Sequence, residues 1–182
     1  MRKVFLLLSL FLSLSVFAQE LPRNETLYIG GHQWGPPTSY NPVGSGSAWP
    51  ALGNMQYIYE TLFGYNLLTG NLDPQLGASL EMPDAETIVV TLQDGTTWQD
   101  GTPLTSADVV YTFEMAQRQP VGYATFWDYV TGLTADDDKT VTIKLNPEKL
   151  NPGLVKQQLA NTAILPAHIW SGLEESESSI LE

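Results

Sequence analysis

The stretch Leu92-Gln93-Asp94-Gly95-Thr96-Thr97-Trp98-Gln99-Asp100-Gly101-Thr102-Pro103-Leu104-Thr105-Ser106-Ala107-Asp108-Val109-Val110-Tyr111-Thr112-Phe113-Glu114 decides the fold. Asp94-Gly95 and Asp100-Gly101 each predict a turn, because an Asp side chain braces a turn and Gly admits its left-handed backbone. Trp98 is pinned between the two, where an indole plugs the end of a sheet. Thr105 and Asp108 then stand at capping-box spacing, and Val109, Val110, Phe113 and Ala116 give an apolar face at helical spacing. Pro120 marks the end of that helix. Immediately upstream, Thr87 to Leu92 is rich in β-branched residues and predicts the strand that the first turn closes.

Downstream, Tyr129 to Leu133 and Thr140 to Leu145 flank the polar run Asp136-Asp137-Asp138-Lys139, which predicts an antiparallel hairpin. Pro152 to Leu159 predicts a helix, and Pro166 starts a short one through Trp170. Upstream, Thr26 to Gly30 reads as a first strand, followed by a Gly- and Pro-rich irregular loop from Gly31 to Gly53 that carries Trp34, Tyr40 and Trp49. Leu52, Met55, Ile58, Tyr59 and Leu62 predict a helix from about Pro50 to Thr61, stopped at Gly64. An extended piece at Tyr65 to Leu68, a turn at Thr69-Gly70-Asn71 and a short element at Leu76 to Leu80 follow. Strands and helices mixed with at least one hairpin predict an α+β or mixed α/β fold.

The chain opens with Arg2 and Lys3, an apolar run from Val4 to Val16 and small residues around Ala18, the three parts of a secretory signal peptide covering residues 1–18. The run is shorter than the roughly 20 residues that a membrane-spanning helix needs. The expected product is extracytoplasmic, without a stable membrane anchor. Cysteine is absent, which excludes disulfides, thiolate metal sites, a cysteine nucleophile and the residue that a bacterial lipid anchor modifies. Removing Arg2 and Lys3 from the 8 basic residues leaves 6 against 20 acidic ones, so the formal charge of −12 becomes −14. Nucleic acid is not the expected partner of such a surface. His32 and His168 are the only histidines and have no carboxylate at zinc-ligand spacing, so no metal site is expected. No nucleotide or nucleophile-elbow motif is present, and no cofactor is expected.

The order strand, Asp94-Gly95, Trp98, Asp100-Gly101, Pro103, then Thr105-Ser106-Ala107-Asp108-Val109-Val110 at a helix start resembles the hallmark of the family 5 extracellular solute-binding proteins, which serve ABC importers. Thr38-Ser39-Tyr40-Asn41-Pro42, Tyr59-Glu60-Thr61-Leu62-Phe63, Leu76-Gly77-Ala78-Ser79-Leu80 and Leu165-Pro166-Ala167-His168-Ile169-Trp170 are similar to further family segments. The resemblance implies a two-lobed periplasmic-binding-protein-like fold. Residues 19–173 would then form the N-terminal part of lobe I, and residues 174–182 an acidic tail or a truncation point. It also implies a periplasmic carrier with no catalytic residue, which takes a short oligosaccharide or oligopeptide and hands it to permease subunits.

In such a fold the ligand is buried by lobe closure, so binding residues project from loops at a cleft. Trp34 and Trp49 are the leading candidates, because an indole face matches the apolar face of a sugar ring, with Tyr40 and Trp127 behind them. Gly30 to Pro37 is also similar to the corresponding segment of sugar-binding members. Each of these aromatics has a plainer reading as packing for its own loop. The competing function is a secreted glycoside hydrolase or carbohydrate-binding module, for which Glu60 and Glu114 are the nominated carboxylates.

Overall fold

In a computed structural model of the chain, residues 41–43 and 58–176 are described. The strand at Thr26 to Gly30, most of the Gly- and Pro-rich loop and most of the Pro50 to Thr61 helix lie outside them. Strands β1 (Phe63–Tyr65) and β2 (Leu72–Pro74) form a two-stranded antiparallel hairpin. A four-stranded sheet follows, made of β3 (Gly77–Asp84), β4 (Thr87–Leu92), β5 (Val130–Ala135) and β6 (Thr140–Leu145), in the order β3-β4-β6-β5 and antiparallel throughout. Helices α1 (Ser106–Arg118) and α2 (Phe126–Tyr129) lie between β4 and β5, and α3 (Pro152–Asn161) and α4 (Ala167–Ser176) follow β6.

The β-branched run at Thr87 becomes an inner strand because its alternate residues all meet apolar partners. The register sets Ile88 opposite Ile143 and Val90 opposite Val141, and all four are fully buried. Val109 and Phe113 of α1 pack into the same core, and Phe113 meets Phe126 of α2 with ring centroids 4.3 Å apart. Each such side chain contributes roughly 1.5–3 kcal/mol by leaving water. The β5–β6 hairpin is turned at the predicted acidic run, where Asp137 accepts the Lys139 N–H at 2.8 Å. Lys139 then reaches back, its ammonium donating to the carbonyls of Gln93 and Leu104 at 3.0 and 3.2 Å.

Four elements differ from the sequence expectation. Ile58 to Thr61, expected as the end of a helix, are not helical, because the Glu60 carbonyl accepts the Ile164 N–H at 3.0 Å and Thr61 bridges to Ala163. Gly64, expected as a helix stop, sits in the middle of β1. The extended piece ends at Tyr65, because Asn66 builds a compact loop by accepting the N–H groups of Leu68 and Thr69 at 3.0 and 3.2 Å. The last helix runs past Trp170 to Ser176, so Glu174, expected in a linker-like tail, is helical. The short element at Leu76 to Leu80 is the start of the longer β3. It begins on Gly77, where a Cβ would stand 2.6 Å from Phe63 Cζ, so only glycine fits.

Candidate functional site

The double-turn stretch folds into a structural hub around one buried carboxylate. Gly95 and Gly101 take φ of 69° and 86°, and Asp100 accepts the Thr102 N–H at 2.9 Å. Trp98 is half-buried against the core and donates its indole N–H to Asp108 Oδ2 at 3.3 Å. The same oxygen accepts the Thr105 N–H at 2.9 Å in the predicted capping box. The other oxygen, Oδ1, accepts the Ala167 N–H at 2.8 Å. Asp108 is 4% exposed, so three N–H donors hold a carboxylate that water barely reaches. One turn along, Thr112 donates to the Asp108 carbonyl at 2.7 Å and accepts the Leu165 N–H at 3.0 Å. The Leu165 to Trp170 segment is thereby fastened to α1 by two side chains four residues apart on one face.

At the rim of this hub, His168 Nε2 stands 2.8 Å from Asp100 Oδ2. The Thr102 N–H first, and then His168, draw the Asp100 carboxyl down to about 2. Trp98 and Asp100 therefore act as structure, as the turn chemistry predicts.

Of the aromatics singled out from sequence, Trp34, Tyr40 and Trp49 lie outside the described residues. Trp127 lies on α2, half-buried, with its indole N–H donated to the Phe113 carbonyl at 2.8 Å and its ring edge-on to Phe126. Glu60 and Glu114 occupy different elements, the segment before β1 and the middle of α1. Among the described residues, no three His, Asp or Glu side chains come together in a way that could hold a metal ion. No described helix is long and apolar enough to cross a membrane.

An open cavity of ≈ 670 Å³ lies between the β1–β2 hairpin and the end of α3, lined by Tyr59, Glu60, Tyr65, Gln75, Gln157 and Asn161 among others. Its walls are fixed to each other by the bridge from Thr61 to Ala163 and the bond from Ile164 to Glu60. Thr61 Oγ1 stands 2.7 Å from both Gln75 Oε1 and the Phe63 carbonyl, which anchors one side of the opening. Gly64 keeps that side clear, since a Cβ there would come within 3.2 Å of Gln75 Nε2. Burial raises the Tyr59 phenol above its ordinary pKa, so it stays a protonated donor. From sequence, Tyr59 stands out as part of a predicted helix and a family segment, and Glu60 as part of that segment and as a nominated hydrolase carboxylate. Gln75, Gln157 and Asn161 carry no local signal, because folding alone brings them together across more than half of the described chain.

Comparison with known proteins places this scaffold. A model of the bacterial extracellular solute-binding proteins, family 5 Middle, matches residues 71–179. A probable peptide-binding protein of Agrobacterium fabrum is 29% identical over 116 residues, covering 59% of this chain and 19% of the relative. A putative ABC transporter peptide-binding protein of Brucella ovis is 29% identical over 152 residues, covering 79% and 27%. The chain thus spans about a quarter or less of the length of these relatives. Among solved structures, a periplasmic oligopeptide-binding protein of an oligopeptide ABC transporter from Thermotoga maritima superposes with a TM-score of 0.70 at 33% identity, over 88% of this chain and 29% of that one. The mannohexaose-bound form of that protein superposes at 0.66 with 33% identity, over 84% and 28%.

Proposed function

Because this chain belongs to the family 5 bacterial extracellular solute-binding proteins, we propose that it captures a short oligosaccharide or oligopeptide outside the cytoplasm and delivers it to the permease of an ABC importer. The observation that carries this reading is the match of residues 71–179, which spans the double-turn hub, the sheet and both later helices. Two further findings support it. The Brucella ovis relative is named as a peptide-binding protein of an ABC transporter, and the Thermotoga maritima protein has been solved holding a hexasaccharide. Residues 1–18 direct export and are removed, and the mature protein works in a periplasm-like space without a lipid anchor. Trp34, Tyr40, Trp49 and Trp127 are the proposed aromatic contacts to the ligand. No residue is assigned a catalytic role, since affinity in this reading comes from burial of the ligand between two surfaces.

Thermal unfolding of the mature chain against a panel of manno- and gluco-oligosaccharides and mixed short peptides tests the proposal. The expected result is a higher midpoint with one class of oligomer, recovered unconsumed afterwards; at a hundred times the dissociation constant a ligand adds about 2.7 kcal/mol. A flat response across the panel, or turnover of a glycoside that Glu60→Gln abolishes, would refute it.

A further inference from the structure

We infer that the cavity between the β1–β2 hairpin and α3 is a binding site for a neutral, hydroxyl-rich ligand, one sugar unit of an oligosaccharide, formed by Tyr59, Thr61, Tyr65, Gln75, Gln157 and Asn161. The inference rests on the solute-binding reading and adds to it a site and a ligand chemistry.

The chemistry of the lining carries the inference. Three carboxamides, two phenols and a threonine hydroxyl converge on the opening. A carboxamide presents a donor and an acceptor side by side, which matches two neighbouring hydroxyl groups, each of which also donates and accepts. Gln157 and Asn161 lie four residues apart on one face of α3, so their amides reach the same side of the cavity. Tyr65 is 49% exposed and offers an aromatic face of the kind that packs on the C–H face of a pyranose, with Leu67 extending the apolar margin. The volume of ≈ 670 Å³ falls inside the range of about 300–1,000 Å³ common to small-molecule sites.

Charge argues against a peptide terminus. The one ionisable acid at the opening is Glu60, and none of the described lining residues is Lys or Arg. A free α-carboxylate would therefore enter beside a negative charge with no cation to receive it. Of the described basic residues, Arg118 pairs with Glu174, Lys139 with two carbonyls, Lys144 with the Thr87 hydroxyl and Lys149 with Asp128, while Lys156, beside Gln157 on α3, does not line the cavity. The Gly44 to Tyr57 segment that precedes the cavity contains no Lys or Arg at all.

Titration of the isotope-labelled mature chain with mannotetraose, cellotetraose and tetra-alanine, followed through the side-chain amide signals of Gln75, Gln157 and Asn161, tests the site. The expected result is movement of those signals with at least one tetrasaccharide and not with tetra-alanine, and at least tenfold weaker binding in Gln157→Ala and Asn161→Ala. Both substitutions fall on exposed helix positions, so the fold is retained and loss of binding is interpretable. Sugar binding that leaves the three amides unmoved, or a stronger response to tetra-alanine, overturns the site while the solute-binding reading stands. No response anywhere to any of the three overturns both.

Discussion

Asp108 is the residue on which the molecule turns, and its position explains a spacing that otherwise looks arbitrary. Trp98 is ten residues before it, Thr105 three before and Ala167 far downstream, yet all three aim an N–H at one carboxylate. Removing the acceptor leaves three donors in a site that water barely reaches, and each hydrogen bond to a charged group is worth about 1.5–3 kcal/mol. Asp108→Ala is therefore expected to lower the unfolding free energy by on the order of 3 kcal/mol in a urea titration. Trp98→Phe keeps most of the plug and loses a single long bond, so about 1 kcal/mol is expected. Equal effects of the two substitutions would contradict the hub. The Thr105 and Asp108 half of this arrangement is legible in the sequence, since a capping box is local. The Ala167 half is not, because nothing in a short segment announces a partner 59 residues away.

At the scale of elements, α4 shows how a helix outlasts its local signal. Only Pro166 to Trp170 is predicted, and the residues beyond read as an acidic, serine-rich tail. The structure holds them because Glu174 accepts two bonds from the Arg118 guanidinium, at 2.9 and 3.0 Å, and one from the Tyr111 hydroxyl at 3.0 Å. Arg118 in turn lies over the Tyr111 ring, 5.5 Å from its centroid. The Arg118 bonds hold the Glu174 carboxyl below its ordinary value, despite some opposing burial. A depressed carboxyl pKa contributes stability that is present above the unfolded value, 4.5 for Glu, and is lost as pH falls through the folded one. Glu174→Gln is thus expected to destabilise the protein at neutral pH by less than about 1 kcal/mol, since Arg118 is half-exposed and solvent screens the pair. Unfolding curves of the two proteins should draw together as pH falls below the ordinary Glu pKa and coincide below the depressed folded value, and a gap that persists there would exclude this account.

For the whole molecule, two consequences follow from composition. With no cysteine, no disulfide contributes to the fold, and its unfolding midpoint is expected to be the same with and without reductant. With a formal charge of −12 for the chain, like charges repel across the folded surface, and salt screens that repulsion over about 10 Å at 0.1 M. The thermal midpoint is therefore expected to rise when sodium chloride is added, before any ligand is present. A fall would mean that the few ion pairs outweigh the repulsion.

The sequence by itself determined the elements whose causes are local. The strand at Thr87, the double turn, the capped helix and the hairpin at Asp137 each depend on residues within a few positions of one another, through side-chain alternation, left-handed glycines and a reciprocal cap. The family resemblance lies in these same residues, which is why it is legible in the sequence. Tertiary structure alone decided that Ile58 to Thr61 are not helical, how far α4 runs and which polar residues share a cavity. Those outcomes depend on groups far apart in the chain, such as Glu60 bonded to Ile164, Arg118 bonded to Glu174, and Gln75 and Gln157 lining one cavity. Backbone and amide groups bond to whatever donor or acceptor folding brings within 3 Å, and no periodicity along the chain records that meeting.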